Sequence, residues 1–162
     1  MIDYGALFQS IPSELAVLLI ATLPIAELRA AIPIGIEVYH LSWPLAVSWS
    51  IIGNIIPVII LVWFLEPISR WLSLHSRQLD RFFNWLFART RRKNLSRFNR
   101  WGVMALITFV AIPLPITGGW TGAVAAFVFG VPRRQAIYLI TIGIFIAAII
   151  VTTATIGISA IF

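Results

Sequence analysis

The sequence predicts an all-α integral membrane protein made of two inverted repeats, with an interfacial amphipathic helix between them. Three observations predict it. First, 60% of the 162 residues are hydrophobic and only 11% are charged, whereas a soluble domain carries roughly 25% charged residues. So little polar surface cannot cover a soluble globule. Second, two apolar stretches are each interrupted by prolines, and each is followed by an uncharged run long enough to cross a bilayer. Third, the basic residues are gathered: of twelve Lys and Arg, nine lie between Arg70 and Arg100, two are Arg133 and Arg134, and the last is Arg29. The chain reads as one membrane domain, with repeat 1 at residues 14–66, an amphipathic linker at 67–100 and repeat 2 at 101–162.

The opening MIDYGALFQS carries no Lys or Arg, so it does not read as a secretory signal. Ile2, Leu7, Phe8 and Ile11 suit a short interfacial segment. Glu14 to His40 is apolar except for Glu27, Arg29 and Glu37. Its 27 residues cannot cross twice, because each crossing needs about 20. Pro24 and Pro33 interrupt its hydrogen-bond ladder. The stretch is therefore either one broken span or a re-entrant hairpin whose two arms stop partway.

Pro44 to Leu65 holds no charge and is long enough to span. Gly53, Asn54 and Pro57 near its middle predict a kink, and Glu66-Pro67 is expected to close it. From Pro67 to Arg89, Ile68, Trp71, Leu72, His75, Leu79, Phe82, Phe83, Leu86 and Phe87 recur at helical steps. Arg70, Ser73, Arg77, Asp80, Arg81 and Asn84 fill the other face. Such a helix lies in the membrane interface or packs on the protein's own inner face. Arg89 to Asn94 reads as a solvated basic loop.

Trp101 to Gly130 is apolar again, broken by Pro113, Pro115, Gly118, Gly119 and Gly122. Gln135 to Phe162 is a final uncharged helix. Gly143, Ala147, Ala148, Thr152, Thr153 and Gly157 give it a small-residue face suited to close packing. The halves match at a spacing of about 89 residues: Leu23-Pro24 on Ile112-Pro113, Trp43-Pro44 on Val131-Pro132, Ile52-Gly53 on Ile142-Gly143. Paired interrupted segments in two halves point to a transporter-like binding site.

Charge separates the two readings of the broken stretches. If both are re-entrant, each half crosses once and the halves are inverted. The basic linker and Arg133/Arg134 then share one side, which the positive-inside rule makes cytoplasmic, with both termini outside. If both stretches span, Arg133 and Arg134 fall opposite the linker. The first arrangement collects eleven of the twelve basic residues inside and is the one expected, in the cell (inner) membrane.

Glu27 and Arg29 are the charges set deepest in the apolar segments. Such groups are costly in a bilayer and usually functional. In a helix, residues two apart point to different faces, so the pair is expected in an extended tip flanked by Pro24 and Pro33, or else each finds a partner across the midplane. Facing it, Gly118 and Gly119 would bare backbone N–H groups, Thr117 and Thr121 add hydroxyls, and Trp120 adds an indole N–H. Pro113 and Pro115 break this second tip. Mid-span Asn54 can donate and accept. Burial favours the neutral acid at Glu27, and Arg29 favours the carboxylate. Opposed influences of that kind suit a proton-coupling group, with Arg29, Asn54, Thr117, Gly118, Gly119, Trp120 and Thr121 as substrate- or ion-binding residues. The structural alternative is a buried ion pair that only pins the hairpin.

The chain has no cysteine, which removes disulfides and thiolate metal sites. His40 and His75 sit in no metal-ligand spacing, and no hydrolase or P-loop motif is present. No metal, cofactor, enzyme activity or nucleic-acid partner is expected. The expected partners are the lipid bilayer, a small-molecule or lipid substrate, and a second copy of the chain as a dimer.

At ELRAAIP (Glu27 to Pro33), at Gly53, Asn54 and Pro57, and at PLPITGGWTGA (Pro113 to Ala123), the chain resembles the small multi-drug export family. That family is distantly similar to DedA/VTT-domain (SNARE-associated) membrane proteins, whose fold has two opposed re-entrant hairpins and which act in lipid-phosphate or proton-coupled transport. The likeness to the latter rests on the acidic first tip, Glu27. Their second tip typically carries arginines, and here Pro115, Thr117, Gly119 and Trp120 stand there instead. The resemblance implies a small transporter, proton-coupled, moving a small or amphipathic substrate between the two tips. A lipid scramblase or flippase, and a non-transporting membrane scaffold, are the alternatives.

Overall fold

The computed structural model describes residues 11–91, 102–114 and 117–159. The N-terminal segment, Arg92 to Asn94 of the basic loop and Pro115 lie outside the described residues; Arg89 to Arg91, expected in that loop, are the last turn of a helix instead. Those described are all-helical. Seven α-helices follow in order: α1 (Ser13–Thr22), α2 (Glu27–Pro33, continuing as a π-helical turn Ile34–Val38), α3 (Trp43–His75), α4 (Arg77–Arg91), α5 (Val103–Ala111), α6 (Gly119–Val128) and α7 (Arg133–Ser159). The order short, break, short, long occurs twice, as α1-α2-α3 and α5-α6-α7.

Both breaks start at a residue that precedes proline. Leu23 has φ −74° and ψ 135°, and Ile112 has φ −76° and ψ 117°. The proline ring disfavours helical geometry in the residue before it, so each helix stops where the sequence places Leu-Pro or Ile-Pro. Other prolines act differently. Pro33 closes no hairpin arm: the helix runs on through it as the π turn, which absorbs the missing N–H. Pro57 and Pro67 lie inside α3.

The expected stop at Glu66-Pro67 is therefore overturned. α3 continues to His75, and the amphipathic linker is divided. Its first part extends α3, and a separate helix begins at Arg77 after the extended residue Ser76. An Arg70–Glu66 ion pair four residues apart spans the Pro67 site, the helical spacing that supports such pairs.

Among the described residues, α3 and α7 are the two helices long and apolar enough to cross a membrane. At 1.5 Å per residue they measure about 50 and 40 Å, against about 15 Å for α1 and α6. Ile52, Ile56, Ile59, Ile60, Trp63 and Phe64 of α3 are exposed, as are Phe145, Ile146, Ile149 and Ile150 of α7. The buried faces mix aliphatic side chains such as Val58, Ile140 and Ile144 with small or polar ones: Ala46, Ser50, Gly53 and Asn54 of α3, and Gly143, Ala147, Ala148 and Thr152 of α7. The small residues let the helices pack closely, as in lipid. Thr153 and Gly157 are exposed, off the small-residue face to which their spacing assigned them.

Two close approaches hold the halves together. α1 packs so tightly on α3 that a Cβ at Gly53 would run into the Leu18 carbonyl. In the second half, Val110 of α5 seats against Gly122 of α6 and Gly143 of α7. The ends of the bundle follow from two contacts. Arg133, at the start of α7, bonds Glu66 of α3. Ser159, at its end, donates to Glu37, just before α3. The long helices are therefore antiparallel, and the Arg70 and Arg133 charges meet on the same carboxylate at one end.

Candidate functional site

The two breaks meet. The first is a four-residue turn, Leu23 to Ala26, after which helix resumes at Glu27. The tip is thus shorter than the extended segment expected, and Arg29 is already helical. Glu27 still reaches Arg29 because its own φ is +48°, a left-handed value that is rare for a residue with a Cβ. This swings the carboxylate out of the helical path, and Arg29 Nη2 comes to 3.3 Å from Oε2. The side chain of Glu27 is 4% exposed and that of Arg29 20%.

From the other side, the Trp120 backbone N–H donates to Glu27 Oε1 at 3.3 Å, and the Gly119 backbone adds to the same cradle. These are the first residues of α6. A helix N-terminus offers unpaired N–H groups and the positive end of the helix dipole. Glu27 is thus a carboxylate cap delivered to α6 from the opposite half. Gly118, just before the helix, has φ +140°, and a Cβ there would overlap the Glu27 carboxylate. Glycine at 118 is required by the contact itself.

The exchange is reciprocal. The Trp120 indole N–H donates to the Thr22 carbonyl at 3.2 Å, one of the carbonyls left free where α1 ends. Arg29 Nη1 donates to the Leu114 carbonyl in the second break. Each tip therefore satisfies backbone groups exposed by the other's break.

Other candidate residues fall elsewhere. Thr117 staples its own loop: its hydroxyl donates to the Ile112 carbonyl at 2.6 Å and accepts from the Leu114 N–H at 3.1 Å. Thr121 donates to the Gly118 carbonyl at 3.4 Å. Neither reaches across to Glu27. Asn54 lies on the far side of Gly119, where an added Cβ would come within 2.8 Å of its Oδ1. It is fully buried, and neither its Oδ1 nor its Nδ2 has a partner in the protein. Pro24 sits in the first turn and Pro113 in the second break.

Two cavities lie toward opposite ends of the bundle. One, of about 370 Å³, is lined by Glu66, Ser69, Arg70, Arg133 and the end of α6. The other, of about 580 Å³, is lined by Arg29, Pro33, Glu37, Pro113, Thr155 and Ser159. The sequence pointed to neither Glu66 nor Glu37 as cavity residues. Their position at the ends of apolar runs was the available signal. Among the described residues no three His, Asp or Glu side chains converge on a point.

No curated protein and no solved structure matches the chain. A family model does: the one described as "Putative small multi-drug export protein" matches residues 27–150, from the Glu27 carboxylate through the second tip and into α7, and the protein belongs to this family.

Proposed function

We propose that the protein is a small secondary transporter of the membrane, exporting a small or amphipathic substrate in exchange for protons carried by Glu27. The observation that carries this reading is a pair of cavities toward opposite ends of the bundle, with Glu27 and Trp120 in the lining of neither. Cavities of a few hundred Å³ suit small organic molecules, and alternating access needs one opening toward each face with a closed centre between them.

The short arms support re-entrance. α1 and α6 are 10 residues each, about half of what a crossing needs. α2 starts at the tip contact and ends beside the start of α3. α6 starts at the same contact and ends beside Arg133. The hairpins thus enter from opposite ends, the relation of inverted repeats. The meeting of Arg70 and Arg133 on Glu66 agrees with this topology, which puts the linker and Arg133/Arg134 on the cytoplasmic side.

In the mechanism, Glu27 as a carboxylate caps α6 and pairs with Arg29, and the tips stay joined. Protonation removes the charge that both partners attract, so the tips separate and the substrate passes between the cavities. Arg29, which lines the larger cavity, offers an anionic or polar substrate group a counter-charge as Glu27 lets go.

The test uses purified protein in proteoliposomes with an imposed pH gradient and a panel of cationic and anionic amphiphiles. Gradient-driven flux is expected in the native protein and absent in Glu27→Gln. Equal flux in both overturns the coupling role. One observation favours a second reading, lipid translocation: an apolar cavity of about 410 Å³ between α5 and α6, lined by Leu106, Phe109, Ala125 and Phe129, has the chemistry to hold an acyl chain. Flip of a fluorescent phospholipid in liposomes without any gradient distinguishes it.

A further inference from the structure

Several hydroxyls of the helices here bond back to their own backbone. Ser48 donates to the Pro44 carbonyl, Ser69 to Glu66, Thr153 to Ile149 and Thr155 to Val151. Ser50 and Thr152 do not. Both hydroxyls are buried without a protein partner, as are both ends of the Asn54 amide. Leaving such groups unsatisfied forfeits the hydrogen bonds they would make in water and is costly. Pro57 adds to the polarity, because it has no N–H to offer the Gly53 carbonyl four residues before it.

These groups fall in order of depth along the bundle. Ser50 and Asn54 are one helical turn apart on the buried face of α3. Ile144 of α7 borders Gly119 together with Asn54 and Val58, which sets α7 in depth against α3. At 1.5 Å per residue, Ser50 then lies about 6 Å and Thr152 about 12 Å from the Asn54 level, both toward the Glu37–Ser159 end. The next turn of α7 carries Thr155, in the wall of the larger cavity.

We propose that Ser50, Asn54 and Thr152 hold a column of water between α3 and α7, joining the tip contact to the larger cavity. Buried water occupies polar sites that give it two to four hydrogen-bond partners, and these side chains supply both donors and acceptors. The column rests on the proton-coupling reading of Glu27 and gives that residue its exchange partner. When the Glu27 acid releases its proton, the O–H bond at the carboxyl breaks and one forms on the adjacent water, leaving carboxylate and hydronium. The reverse step reloads it. The direct route past Arg29 does not serve, because a guanidinium has no acceptor, stays protonated and repels a hydronium ion.

Silver ion is a water-borne probe small enough for such a column, and the native chain has no cysteine to compete. Ser50→Cys and Thr152→Cys are made separately in the full chain. Val58→Cys is the control, one turn from Asn54 on the opposite side from Ser50, buried and apolar. Silver protection is read in proteoliposomes as lost maleimide labelling after denaturation. Both thiols are expected to react at least about tenfold faster than the control, since reaction needs a solvated thiolate. If one variant does not fold, the other reports on the same column. Rates no faster than at Val58→Cys overturn the proposal. The readout is water access, not flux, so it fails separately from the Glu27→Gln transport test.

Discussion

The two proline-broken segments have the same element order and opposite chemistry. The first tip presents charged side chains, Glu27 and Arg29. The second presents backbone: the N–H groups that open α6, the Leu114 carbonyl, and a glycine with no side chain at 118. A carboxylate needs donors and a guanidinium needs acceptors, and a broken helix exposes both kinds of group. The difference explains why the two halves match in layout and hardly at all in residues. Two charged tips would have faced each other with like groups. A charged tip and a bare one fit.

The sharpest way to break this complementarity is to put a side chain on the bare tip. Gly118→Ala combines a collision at the Glu27 carboxylate with a φ of +140°. Strain alone costs about 1–3 kcal/mol, and the variant is expected to lose both transport and thermal stability in detergent. Glu27→Gln strikes the charged tip. The amide keeps the shape and one acceptor, so the protein should still fold, but Arg29 loses its charge partner at 20% exposure. Flux driven by a pH gradient should vanish, and adding Arg29→Gln should recover stability, since an unpaired buried charge is worse than none.

Smaller effects sharpen the same picture. Gly119→Ala pushes a methyl to within 2.8 Å of Asn54 Oδ1 and Val58, which overpacking places at about 1–3 kcal/mol. Pairing it with Asn54→Ala should return part of that loss in a double-mutant cycle of melting temperatures. Trp120→Phe removes only the indole bond to the Thr22 carbonyl. It should lower stability by about 1 kcal/mol and leave the Glu27 contact, and the pH response of transport, in place.

Much of this was legible in the chain. Leu23-Pro24 and Ile112-Pro113 mark both breaks because the constraint is local and steric. The opposition of Glu27 and Arg29 to GGWTG follows from buried charges needing partners. What could not be read was geometry set by the fold. The sequence does not say that α3 would run through Pro67 to His75, that Pro33 would be absorbed in a π turn, or that Glu27 would pair with Arg29 through a left-handed backbone instead of an extended one. Thr117 and Thr121 looked like ligands by type, and the loop itself uses them. Ser50 drew no notice and Thr152 read only as part of a small packing face, because an unpartnered hydroxyl in a helix is visible only once its surroundings are built.

The central claim is that both hairpins turn back within the membrane and enter from opposite faces. Single cysteines at Ser42, Ser76 and Arg134, reacted with a membrane-impermeant maleimide in right-side-out and in inverted membrane vesicles, test it most directly. Ser76→Cys and Arg134→Cys are expected to label from the same face and Ser42→Cys from the other. Labelling of positions 76 and 134 from opposite faces would contradict it.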